Sequence, residues 1–85
     1  MTHKAIKVKN EQVFKSQQAA QFVQTASRFE SLITIERSNK KVNAKSIMGV
    51  LSLNIQTGQT IHLVANGSDE KEATEVLVGL IEGDA

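Results

Sequence analysis

Residues 42–53 read V-N-A-K-S-I-M-G-V-L-S-L, and the reading of this stretch decides the fold. A strand-like segment ends near Asn43, and a short apolar helix pattern begins at Ile47. Ser46 stands between them and suits an N-cap, because its hydroxyl can accept from backbone N–H groups left free at a helix start. So short a helix cannot bury all its apolar residues on one face. Val50 and Leu53 form one pair, while Ile47, Met48 and Leu51 form the other. One set feeds a core. The other is left at the surface, beside a serine poised for modification.

Upstream, residues 32–37 are β-branched and alternating, with Ile33 and Ile35 set against Leu32 and Thr34. Ser38-Asn39-Lys40 turns the chain into a short strand over 41–43, which makes a hairpin. In residues 16–29, Ala19, Phe22, Val23, Ala26 and Phe29 fall at helical spacing, with Ser16 suited to the N-cap. Residues 10–15 form a polar loop carrying Phe14, and residues 3–9 alternate as a half-buried first strand built on Ile6 and Val8. Downstream, Gln56-Thr57-Gly58-Gln59 is a turn and residues 60–65 are a fourth strand ended by Gly67. Asp69-Glu70-Lys71-Glu72 has the form of a capping box. The last helix then carries Ala73, Val76, Leu77, Leu80 and Ile81 on one stripe, with Gly83 suited to its end. The order β-α-β-β-α-β-α, with striped helices and alternating strands, predicts an α+β, open-faced two-layer sandwich with three helices on one face of an antiparallel sheet.

The chain has 85 residues, 40% of them hydrophobic and 22% charged, which fits a single domain spanning residues 1–85. It contains no cysteine, so disulfides and thiolate metal sites are excluded. No apolar run approaches the roughly 20 residues that span a bilayer, and no signal peptide is evident, so the expected compartment is the cytoplasm. A formal net charge of +1 argues neither for nor against a polyanionic partner.

The run K-S-I-M-G-V-L-S-L (residues 45–53) closely resembles the regulatory-serine segment of the HPr family, small phosphocarriers of the bacterial sugar phosphotransferase system. Q-Q-A-A-Q-F-V-Q-T-A-S-R-F (residues 17–29) fits the same family in register, as do the length and element order. The resemblance implies the strand order 1-4-2-3. It also implies what the chain lacks. An HPr phosphocarrier works through a histidine in the loop that opens the first helix, because neutral imidazole is nucleophilic and its phosphoramidate is labile. Here that position is Lys15, the neighbouring arginine and proline positions are Gln17 and Gln18, and the preceding glycine position is Val13.

Lysine does not substitute for the histidine, since a solvated ammonium near neutral pH has no lone pair to offer. Its plain reading is a solvated side chain near a helix start. His3 and His62 lie on strands, and without a carboxylate or thiol at ligand spacing they read as surface residues; no metal or cofactor is expected. No G-x-S-x-G motif, Walker loop or triad is present, so the chain reads as a non-enzyme.

Taken by itself, Ser46 reads as an N-cap. The resemblance makes it the site of HPr kinase/phosphorylase, flanked by Lys45 and by Ile47, Met48 and Leu51 as the partner-binding surface. Phosphoserine would add about −1.5 to −2 charge there. It also implies a LacI-type catabolite control protein as the partner, with the serine-phosphorylated form as corepressor. The missing histidine resembles the Crh-type (catabolite repression HPr) branch of the family. Two rivals follow from the residues. Lys40, Lys41 and Lys45 make a small basic patch, but without a stacking platform it is a poor nucleic-acid site. An HPr-fold interaction module that regulates some other enzyme or transporter is the stronger rival. A monomer is expected, able to exchange its first strand with a second copy across the polar segment 10–15.

Overall fold

The computed structural model describes residues 1–82, apart from the side chain of Ser16. Strand β1 (Thr2–Lys7) is followed by a 3-10 helix (Glu11–Phe14), α1 (Ser16–Ala26), β2 (Leu32–Arg37), β3 (Lys40–Asn43), α2 (Ile47–Ser52), β4 (Thr60–Asn66) and α3 (Glu70–Glu82). The strands form one antiparallel sheet in the order β1-β4-β2-β3. Alternate side chains from β1, β2 and β4 (Ile6, Ile33, Ile35, Ile61, Leu63 and Ala65) are buried on one face. The helices cover that face with Ala19, Phe22, Val23, Val50, Leu53, Ala73, Leu77 and Ile81. Each Val, Leu, Ile or Phe side chain buried this way contributes about 1.5–3 kcal/mol. The open-faced sandwich predicted from the residues is the one observed, and its strand order is the one that the family resemblance implies.

Several local expectations are corrected. Strand β1 was expected over 3–9 and is regular over Thr2–Lys7, although Val8 still exchanges backbone bonds with the 56–59 turn (Val8 N–H to Gln59 O and Gly58 N–H to Val8 O, both 2.8 Å). That turn needs Gly58, whose φ of 93° lies in the left-handed region. The polar loop holds a 3-10 helix, and Phe14 packs against Phe22 with ring centroids 5.4 Å apart. Helix α1 starts at Ser16, so the cap position falls on Lys15, whose side chain makes no capping bond. It also stops short of Phe29. The hydroxyls of Thr25 and Ser27 bond back to the Gln21 and Val23 carbonyls, and Arg28 and Phe29 N–H then reach only three residues back. Such back-bonding competes with the last turn. In the hairpin Lys40 already pairs with Arg37, leaving Ser38-Asn39 as the turn.

The expected capping box at Asp69 and Glu72 does not form. The Asp69 carboxylate instead accepts from Glu30 N–H (2.9 Å), Ser31 N–H (3.0 Å) and the Ser31 hydroxyl, tying the α1–β2 loop to the start of α3. Those bonds, led by the Ser31 hydroxyl, hold its carboxyl below the usual range. The reciprocal pair sits two residues earlier: Glu70 N–H donates to Gly67 O (3.3 Å) and Gly67 N–H to Glu70 Oε1 (3.1 Å). Within the α3 stripe Ala73, Leu77 and Ile81 are buried, whereas Val76 and Leu80 are exposed at its edge. Gly83, expected to end α3, lies outside the described residues.

Gly67, just past the end of β4, lies close against that loop, since a Cβ there would stand 2.6 Å from Ser31 Cα. Gly67→Ala therefore forces backbone apart, and it is expected to cost about 1–3 kcal/mol in urea unfolding. An unchanged midpoint would mean the turn moves freely.

Candidate functional site

Two surfaces carry the residues singled out above, one on the loop before α1 and the other at the start of α2. In the loop, Lys15 sits between the 3-10 helix and α1, and its ammonium is ion-paired with Glu11 Oε2. Glu11 is held in turn by the 56–59 turn: Thr57 N–H donates to Glu11 Oε1 (3.0 Å), and Glu11 N–H donates to Thr57 Oγ1 (3.1 Å). The Lys15 contact first, then the Thr57 N–H, keeps the Glu11 carboxyl below its ordinary range. The Glu11 carboxylate thus offsets the charge of the Lys15 ammonium. Gln17 and Gln18 are exposed, and Val13 packs on the core. Val13, Gln18, Gln21, Phe22 and Leu80 line a pocket of about 170 Å³. It contains apolar and amide groups and no cation, which suits no phosphate.

At the second surface Ser46 takes the N-cap of α2, with extended backbone and its Oγ accepting from Gly49 N–H (3.1 Å). The fit beneath it is close, because a Cβ at Gly49 would meet Ser46 Cβ, Ser46 Oγ and Val42 Cβ, each at 3.3 Å. Glycine at this third helical position leaves room for the cap. Val50 and Leu53 are fully buried, whereas Met48 is 78% exposed and Ile47 and Leu51 are 43% exposed each. The two-faced reading of this helix holds residue by residue.

The carbonyl end of α2 is gripped from the β2–β3 hairpin, with Arg37 Nε donating to Leu53 O (2.8 Å) and Lys40 Nζ to Ser52 O (3.0 Å). Cations there also complement the helix dipole. Lys45 Nζ donates to Phe29 O (2.7 Å) in the loop that follows α1, and α1 packs against α2. Two of the three lysines in the small basic patch are therefore bonded to backbone carbonyls rather than presented together.

The residues missed from sequence are those whose partners are distant. Glu11 pairs with Lys15 at i,i+4, a spacing readable in principle. Thr57, Arg37 and Lys40 required the tertiary structure. His3 and His62, read as separate surface residues, lie on adjacent strands with Nε2 and Nδ1 3.0 Å apart. Among the described residues, no group of three or more His, Cys, Asp or Glu is placed to share a metal ion, and no helix is long and apolar enough to cross a membrane.

Residues 2–83 match the family described as "PTS HPr component phosphorylation site". The chain is 51% identical over 82 residues to the HPr-like protein Crh of Halalkalibacterium halodurans, covering 96% of this chain and 98% of that one. Its fold is similar to the crystal structure of HPr-C-His from Thermoanaerobacter tengcongensis, with TM-score 0.91, 51% identity and coverage of 96% and 92% of the two chains. It is also similar to Crh of Bacillus subtilis, whose crystal structure is described as a swapped dimer (TM-score 0.76, 44% identity, 91% of this chain and 84% of that one).

Proposed function

Because this chain belongs to the HPr family and resembles its Crh members, we propose that residues 1–85 act as one HPr-like, non-catalytic regulatory domain of carbon catabolite repression. In this reading HPr kinase/phosphorylase modifies Ser46, and the phosphorylated form is corepressor of a LacI-type catabolite control protein. The observation that carries it is the start of α2, where a capping serine is flanked by the exposed Ile47, Met48 and Leu51. Phosphate on Ser46 Oγ would place a dianion at the rim of an aliphatic patch. Arginines of a partner can then read the charge while flexible Met48 fills a groove. The N–H groups at the helix start favour the added charge, so the switch works on the surface and leaves the fold in place. Incubation with ATP and the kinase/phosphorylase is the direct test. One phosphate mapped by fragmentation to Ser46 is expected, and none, or one placed elsewhere, would sink the assignment.

A neutral α1 surface favours the rival. Gln17, Gln18, Gln21 and Gln24 are all exposed, so α1 offers amides where the family's arginine would contribute charge. An HPr-fold module regulating another enzyme or transporter would suit such a face. Pull-downs with the phosphorylated and unmodified forms separate the two readings.

Assembly follows from the sheet. Strand β1 is an edge strand paired with β4 alone, and its connection to α1 is pinned by the Glu11–Thr57 bonds. We expect it to exchange between two copies after slow refolding at high concentration, a low-cost route to dimers. Glu11→Ala, by freeing the connector, should raise the dimer fraction several-fold in light scattering. A single monomer mass for both proteins at every concentration would count against exchange.

A further inference from the structure

Strand order places His3 on β1 beside His62 on β4, on the sheet face away from the helices. They are diagonal neighbours, since His3 is opposite Val64 and His62 is opposite Ala5. A diagonal of this kind is within reach of long and aromatic side chains. The rings meet with centroids 5.2 Å apart and planes at 39°, and His3 Nε2 stands 3.0 Å from His62 Nδ1. Nitrogen ligands about 2.0–2.1 Å from one ion are roughly 2.9 Å apart at a right angle and roughly 3.3 Å apart at the tetrahedral angle. The observed separation falls between those values. On the other side of β4, Glu36 of β2 is the cross-strand partner of His62, so a carboxylate-bearing residue flanks the pair.

From this geometry we infer that His3 and His62 form a two-imidazole chelate for one late divalent transition-metal ion, of the class of Zn²⁺, Ni²⁺ or Cu²⁺. Neutral imidazole nitrogens suit these ions, and hard cations such as Mg²⁺ and Ca²⁺ prefer oxygen. In the ion-free pair one proton lies between Nε2 and Nδ1. On binding, that proton passes through solvent to the other nitrogen of its own ring, both facing lone pairs turn to the ion, and no net proton is released. Water completes the coordination. The ion would clasp edge strand β1 to β4, and because only the paired strands hold both rings together, it favours the folded sheet.

Calorimetric titration of ZnCl₂ and NiCl₂ into the full chain at about pH 7.5 tests this. One ion per chain is expected, with a rise in melting temperature on the order of 5 °C at excess metal. His3→Gln and His62→Gln should each weaken binding at least about tenfold. Imidazole NMR signals of both rings should shift together with Zn²⁺. His62→Gln is the decisive variant. It leaves His3 and the Met1 amine untouched, so binding retained there would assign the ion to the chain start and overturn the chelate. Absence of binding up to millimolar metal would overturn it equally.

Discussion

Incubated with phosphoenolpyruvate and enzyme I, the protein is expected to take up no acid-labile phosphate. The proposed reading sets Lys15 where an HPr phosphocarrier would use a neutral imidazole, and the Lys15 ammonium is engaged by Glu11. Replacing the nucleophile alone should repair little. In Lys15→His the new imidazole would face the Glu11 carboxylate, which Thr57 N–H holds in place. Gln17 would still supply no guanidinium to share the phosphoryl charge. Loss of a preorganised charge-stabilising donor costs about 10²–10³-fold in rate, so Lys15→His should transfer phosphate at least that much more slowly than an ordinary HPr. Adding Gln17→Arg should recover part of the deficit. Acid-labile phosphate on the wild-type chain at ordinary rates would overturn the regulatory reading entirely.

The sequence makes some of this architecture plain and hides the rest, for physical reasons. Helix α2 is legible because everything that defines it is local: a capping serine, a glycine three residues on, and apolar residues divided between two faces. The strands of the sheet are legible for the same reason, since alternation reports one buried face. Helix ends are harder. The hydroxyl of Ser27 turns back to Val23 and ends α1 before Phe29, although the apolar spacing continues through that residue. Asp69 has the right residue type for a capping box, yet its carboxylate is captured by Ser31, 38 positions away in sequence. Long-range capture of this kind leaves no local signature. Nor does the meeting of His3 with His62, which depends on strand order and register together. At the candidate site the aliphatic patch is visible in the sequence, but the grip of Arg37 and Lys40 on the end of α2 is not.

Ser46→Ala is expected to abolish binding to the catabolite control protein after treatment with ATP and kinase, while the melting temperature falls only slightly. The two effects differ in size because they have different causes. Losing the cap removes one bond, from Gly49 N–H to Oγ, and costs about 1 kcal/mol of stability. Losing the acceptor of the phosphoryl group removes the whole dianion through which a basic partner site would engage the patch. Aspartate should imitate it poorly, with half the charge and fewer oxygens. Met48→Ala separates the patch from the phosphate. At 78% exposure Met48 adds little to the core, so its truncation should leave stability and phosphorylation unchanged while weakening binding by about 1–2 kcal/mol. Val50→Ala is the contrasting control, because that side chain is fully buried on the opposite face; it should destabilise the fold by about 2 kcal/mol or more. Calorimetry in which the unmodified protein binds as tightly as the phosphoprotein would remove the switch from Ser46. The neutral face of α1 would then direct attention to a partner outside catabolite control.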